Sequence, residues 1–598
     1  SHAMQPDQST VRVSLADWLG AHSTVITRSV TAAIVLGVLV RLVAALTLSP
    51  HVDEPASVLA AHVVAERGLP LLPSGTPYFQ GLTLSYLLQP FVWLGIGGIE
   101  HLHLMRLVLV LAGAVTLYLC YRLALVVTGD PRVGVVMATL VALDPVSVQW
   151  SAHVRMYGLL QPLTLALAWA WIVFLRGNTG WRQVALVAGI YWAAVFTHVG
   201  ASLLAPAMAV AAFVLWRWQV FRRWRLMVTL TIAALGPMLL LALNELFGTA
   251  NEPVRESSSL PFFVGANLLA PLTEITHPVE EWTARLTAGI TLYWMMPVII
   301  VGVSTLIGAR YLLRRGTGDD TRAAVAALLA LYWLPLLAVV LLTASRKVRY
   351  IVHLHVLGYL FLAVLLVALL HQTVTLRGDS RLRLLARHAA IIGIVTAVVA
   401  GLGWRLENRV VQPDYNQAMA YVADRHQPGE PVIVTLPPVG YLTMDESNRD
   451  DLYFLAGSAG WTRADRYTRW DEDGRLIDYW IGADSIVSTR MLDEMLATHD
   501  NAWVIADRDR LEDDWTSTTA IERVIRESMF PVYASDGGAV VYRTLPEQFR
   551  HDADILTNDP AASGVGVDDA CLLQMDCPPL PATPVASPAA RGPSVTIW

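Results

Sequence analysis

Long uninterrupted apolar runs fill most of the chain up to Trp404. Runs near 20 residues, about the length a helix needs to cross the hydrocarbon core of a bilayer, fall at roughly 29–49, 103–126, 132–150, 156–175, 183–199, 201–218, 226–247, 287–313, 322–343, 350–371 and 388–404. The pattern predicts about eleven membrane-spanning helices. A further run, 80–97, is interrupted by Gln89-Pro90 and closed by Gly95, Gly97 and Gly98. It reads either as a span or as a helix lying along the membrane surface.

Beyond Trp404 the pattern changes to charged segments with alternating helical and strand-like periods. A helix is expected over 415–426, a strand at the β-branched run Val432-Ile433-Val434-Thr435, a helix near 490–499, a strand at 502–506, a helix near 519–529, and strands around 531–534 and 539–543. Residues 405–548 therefore read as a small α/β domain. From 549 to 598 the chain is rich in Pro, Ala and Ser without periodicity, the composition of a disordered tail. Ser1-His2-Ala3 ahead of Met4 reads as a cloning remnant, residues 1–28 as a cytoplasmic N-terminus, and the first apolar run, with no cleavage pattern after it, as a retained span.

Charge decides how the flat run is treated. With 80–97 on the surface and the N-terminus inside, Arg12, Arg28, Arg122, Arg132, Arg176, Arg182 and the clusters Arg217–Arg225, Arg310–Arg322 and Arg377–Arg387 all face the cytoplasm. The opposite loops hold only Arg67, Arg106, Arg155, Arg255, Arg285, Arg346, Lys347 and Arg349, so the positive-inside rule supports this arrangement. It puts the long loop 50–102 and the α/β domain outside. The overall composition, 55% hydrophobic and 15% charged, argues against a soluble fold. Cys120 lies in an apolar run, while Cys571 and Cys577 lie in the tail, either bridged or as free thiols.

Three external clusters carry candidate chemistry. His51-Val52-Asp53-Glu54-Pro55 follows the first span; Asp53 is either a helix cap or a general base whose surroundings tune it. The loop Thr343 to Tyr350 holds Arg346, Lys347 and Arg349 on the face poor in basic residues. These suit phosphate oxygens, with Tyr350 as a further donor, or they contact lipid headgroups. The third cluster runs from Asp144-Pro145 through Trp150, His153, Arg155 and Tyr157, and His198 ends a later span. His51, His153 and His198 match no metal-ligand spacing. No phosphate-cradling glycine loop, G-x-S-x-G or C-x-x-C is present, and nothing points to nucleic acid.

At these residues the chain resembles the GT-C superfamily of membrane glycosyltransferases, in the branch of the protein O-mannosyltransferases and the lipid A aminoarabinose transferase. The matching motifs are Asp53-Glu54 after the first span, Gly68-Leu69-Pro70, Tyr78-Phe79-Gln80-Gly81, Arg155-Met156-Tyr157, Thr197-His198 and Arg349-Tyr350, in order over residues 29–404. Relatives often carry an acidic residue just ahead of the Arg-Met-Tyr. Ser151-Ala152-His153-Val154 stands there instead, with Asp144 the nearest upstream carboxylate, which leaves a second catalytic carboxylate and a divalent metal without a matching residue.

The resemblance implies an inverting transfer of a sugar from a polyprenyl-phosphate donor, reached from the bilayer, to an extracytoplasmic acceptor, in the plasma membrane and without a required cofactor. It assigns catalysis to Asp53 with Glu54 beside it, the donor phosphate to Arg349, Tyr350, Arg346 and Lys347, and substrate contacts to Tyr78, His153, Arg155, Tyr157 and His198. A transporter would be expected to show paired internal repeats and ionisable groups at mid-span. No repeat is visible, and Arg41 is the main mid-span charge. The third reading is a membrane scaffold whose external domain binds a partner.

Overall fold

The computed structural model describes residues 15–79, 81–247, 296–316, 318–339, 348–375, 385, 392–393, 413–456, 467–507, 519–535 and 537–544. Arg346, Lys347, Gln80, the run 388–404 apart from 392–393, and the 549–598 tail lie outside the described residues.

The apolar runs become helices α1 (Leu15–Thr47), α4 (Leu102–Thr128), α5 (Pro131–Leu143), α6 (Pro145–Trp150), α7 (Met156–Leu175), α8 (Trp181–Thr197), α9 (Leu204–Trp216), α10 (Trp224–Phe247), α11 (Met296–Arg315), α12 (Asp319–Leu337) and α13 (Val352–Thr375). Seven of the described helical segments are long and apolar enough to cross a membrane, making this a multi-pass membrane protein. α13 packs on α5, α7, α11 and α12, and its residues 352–364 are all buried.

The expected single span 132–150 is two helices. The chain breaks at Asp144, where Pro145 cannot donate to the preceding turn and the Asp144 carboxylate accepts from Ser147 N at 2.6 Å to start α6. Arg41 of α1 takes up the carbonyls that the break exposes, reaching Val141 O at 3.1 Å and Ala142 O at 3.3 Å.

The long segment between α1 and α4 carries α2 (Glu54–Arg67) and α3 (Leu82–Trp93) packed together. Pro55 sits in the first turn of α2, and Gly68 ends it with φ 75°, donating to Val64 O. Gly81 opens α3, also at φ 75°. Both are left-handed positions where a side chain would be strained. With 12 residues, α3 spans about 18 Å, too short to cross a bilayer alone; Trp93 and Leu94 on it are exposed apolar groups.

The C-terminal region forms an eight-stranded sheet in the order β3-β4-β5-β2-β1-β6-β8-β7, with β1 (Val432–Val434), β2 (Leu452–Leu455), β3 (Thr468–Trp470), β4 (Leu476–Asp478), β5 (Asp484–Ile486), β6 (Trp503–Asp507), β7 (Met529–Ala534) and β8 (Ala539–Thr544). Its centre, β5-β2-β1-β6, is parallel and both edges are antiparallel. Val432, Ile433 and Val434 are all buried, as a strand covered on both faces requires. Helices α14 (Tyr415–Ala423), α16 (Thr489–Thr498) and α17 (Thr519–Ser528) match the expected ones, and α15 (Pro437–Thr443) is additional.

This region rests on the segment between α1 and α4. α15 packs on α2; Tyr479 donates to Pro77 O at 3.2 Å, Arg469 donates to Ser74 O, and Tyr78 faces Trp480 with ring centres 5.6 Å apart.

Candidate active site

Asp53 and Glu54 meet opposite fates. Glu54 is sealed from solvent, and its oxygens accept from Arg106 Nε and Nη2 at 3.0 and 2.7 Å, from Val154 N at 2.6 Å and from His51 N at 2.7 Å. Arg106 also donates to Ala45 O and Leu48 O, closing the C-terminal end of α1. Burial raises the Glu54 carboxyl, but Arg106 and then His153, 3.5 Å away, more than offset this and hold it well below the usual carboxylate range. With its lone pairs so engaged, Glu54 ties α1, α2, α4 and the segment before α7 into one frame.

Asp53 stands at the N-cap of α2, yet its side chain makes no capping bond. The carboxylate points instead at two guanidiniums: Oδ2 lies 3.2 Å from Arg349 Nη1 and 3.6 Å from Arg155 Nη2. Arg155 also donates to Asp53 O at 2.9 Å and Ser57 Oγ at 3.1 Å. The Asp53 side chain is 36% exposed, against 7% for Arg155 and 17% for Arg349, so an incoming group can reach the carboxylate from one side. His51 Nδ1 accepts from Asp53 N at 3.1 Å. Burial is the main cause that pushes its imidazole down to about 3, outweighing Asp53, which raises it.

Rings line the site in a continuous file. His51 meets Trp150 at 5.5 Å and His153 at 5.6 Å; Trp150 meets Tyr157 at 5.0 Å; Tyr157 meets His198 at 5.3 Å; and His198 meets Tyr350 at 5.7 Å. Arg155 and Arg349 each sit 5.9 Å over the Tyr157 ring. The Nε atoms of Arg155 and Arg349 are buried without a hydrogen-bond partner. Since Glu54 and Arg106 cancel, Asp53, Arg155 and Arg349 leave one positive charge in excess.

The expected site residues Asp53, His153, Arg155, Tyr157, His198, Arg349 and Tyr350 thus come together from segments far apart in sequence. Tyr78 is buried at the contact with the C-terminal domain, within electrostatic reach of Arg155. Sequence reasoning gave Arg106 no role. Its one signal was an arginine entering an apolar run on the face poor in basic residues. Among the described residues, no three His, Cys, Asp or Glu side chains gather as a metal ion would need.

The chain has a GT-C-like fold, an α-helical membrane region followed by a C-terminal sheet region. The oligosaccharyltransferase AglB of Archaeoglobus fulgidus, solved with an inhibitory peptide and a dolichol-phosphate, superimposes with a TM-score of 0.51 at 11% identity, over 88% of this chain and 74% of that one. ArnT of Cupriavidus metallidurans in the apo state gives 0.50 at 14% identity, over 88% and 98%. No protein-family model and no curated protein sequence matches the chain.

Proposed function

We propose that the protein is a membrane glycosyltransferase that moves a sugar from a polyprenyl-phosphate donor to an extracytoplasmic acceptor, with inversion and with Asp53 as general base. The observation that carries this reading is the partly exposed Asp53 carboxylate held between Arg155 and Arg349, beside a Glu54 that is sealed and fully bonded. The acceptor hydroxyl gives its proton to Asp53 while its oxygen bonds to the anomeric carbon. The carbon–oxygen bond to phosphate breaks, and its electron pair leaves with the phosphate. Arg349, with a buried and unpartnered Nε, stabilises that charge as a fixed, preorganised donor. Tyr350 stands beside it, and Arg346 and Lys347, close before it in sequence, are further candidates for the phosphate. The excess positive charge suits an anionic donor, and AglB, which shares the fold, was solved with a dolichol-phosphate.

The test is sugar transfer from a polyprenyl-phosphate donor by the purified protein. Asp53→Asn should remain folded and lose turnover by about 10²–10⁴, the size of a general-base contribution. Retention of more than about a tenth of the activity assigns the base elsewhere. Absence of transfer by the unaltered protein across donors would favour a transporter or scaffold.

A further inference from the structure

The break at Asp144 joins two segments that both end at Asp53. Asp144 is completely buried, so its carboxylate must find donors within the protein. It finds Ser147 N at 2.6 Å and the Tyr359 hydroxyl at 2.8 Å, while His355 Nε2 stands 3.6 Å away. Tyr359 and His355 lie one turn apart on α13. Arg41 fastens the same break from the other side, donating to Ser147 Oγ at 2.9 Å, and Ser147 Oγ donates to Gln161 of α7 at 2.6 Å.

The two elements tied at Asp144 carry the two guanidiniums of the site. α6 ends at Trp150 and leads within five residues to Arg155; α13 begins just after Arg349 and Tyr350 in the 3-10 turn Val348–Tyr350. A helix is stiff along its axis, so the bond from Tyr359 to Asp144 sets how far α13 projects past α6. That projection fixes where Arg349 meets Arg155 on the Asp53 carboxylate. An apolar contact at the same place would hold the helices together and leave their sliding register less determined, because dispersion contacts are non-directional while a charge-assisted hydrogen bond is not.

We propose that Asp144 and Tyr359 are a positioning pair which sets Arg349 against Arg155 and Asp53. The pair acts through the placement of α13 and does not touch substrate. Its functional consequence rests on the lipid-phosphate reading above.

Tyr359→Phe removes one hydroxyl and keeps the ring. Two measurements on the purified full chain test the pair separately from the function. Backbone hydrogen exchange over 348–356 and 151–157 should rise about tenfold, with little change along the body of α5. Affinity for undecaprenyl phosphate, read by native mass spectrometry, should fall about tenfold, and should fall no further when Tyr359→Phe is added to Arg349→Ala, as expected for residues acting through one contact. Asp144→Asn, which withdraws the charge and keeps an acceptor, should give a smaller change of the same kind. Unchanged exchange in Tyr359→Phe overturns the proposal, as does an affinity loss that simply adds to that of Arg349→Ala. If exchange rises while neither form binds undecaprenyl phosphate, the pair stands and the lipid-phosphate reading falls. Should Tyr359→Phe not fold, the exchange of Asp144→Asn decides.

Discussion

Glu54 and Arg106, 52 positions apart in the chain, form a two-pronged ion pair at 3.0 and 2.7 Å, with their side chains 0% and 4% exposed. The pair joins the end of α1, the start of α2 and the start of α4 at one point. Asp53 therefore projects from a rigid corner, and adjacent carboxylates divide the work: one holds the backbone while the other faces the open side of the site.

Removing Glu54 should cost stability before it costs chemistry. Glu54→Ala leaves Arg106 charged, buried and unpaired, a loss of about 3–5 kcal/mol. A marked drop in melting temperature and yield is expected in detergent, while Asp53→Ala, at a carboxylate 36% exposed, should lower the melting point less. Equal losses in the two variants would show that the division of roles is wrong.

Arg349→Lys keeps the charge and loses the planar fork that matches phosphate oxygens. Binding of a polyprenyl phosphate and turnover should fall together, by about tenfold or more. Arg315→Lys, at the end of α11, should change neither. Undiminished donor binding in Arg349→Ala would remove the phosphate role.

The site should be acid-labile before its carboxylates protonate in bulk. The folded His51 imidazole is pushed down to about 3 from an ordinary 6.5, chiefly by burial. The unfolded chain therefore takes up a proton that the folded chain refuses. The neutral ring contributes stability that is fully present above pH 6.5 and is lost as pH falls toward 3, on the order of 2 kcal/mol by pH 5. Glu54, also held low, contributes with the same sign at lower pH. Melting temperature should fall between pH 7 and pH 5, and His51→Gln should shrink that fall; an equal slope in the variant would assign it to other groups.

The topology is testable by single-cysteine labelling from each side of the membrane. Arg315 should be reached from the cytoplasm, and Leu94 and Trp480 from the outside. Labelling of positions 315 and 480 from one side would sink the arrangement.

The sequence by itself determined the parts that rest on local pattern. Apolar runs near the bilayer thickness specify helices whatever their neighbours, since lipid satisfies no backbone group, and most of the runs from 29 to 371 are helical. The unbroken β-branched run at Val432 is enough to mark a strand buried on both faces. β2, β3, β4 and β5 were not expected: Leu452–Leu455 is too short a run to read by itself, and strands of three residues with Thr468, Arg469, Asp478 and Asp484 in them carry no period; all four exist because neighbouring strands supply the hydrogen bonds. The order of motifs along one membrane face brought Asp53, Arg155, Tyr157, His198 and Arg349 into a single hypothesis. Only the tertiary structure shows that Asp53 and Glu54 sit in different surroundings, since Arg106 and Val154 N reach Glu54 from other segments. It alone turned the apolar run 132–150 into a break at Asp144, because a buried carboxylate needs donors, here Ser147 N and the Tyr359 hydroxyl, while Arg41 takes up the carbonyls beside the break, and that convergence is a property of packed helices and not of any one stretch of chain.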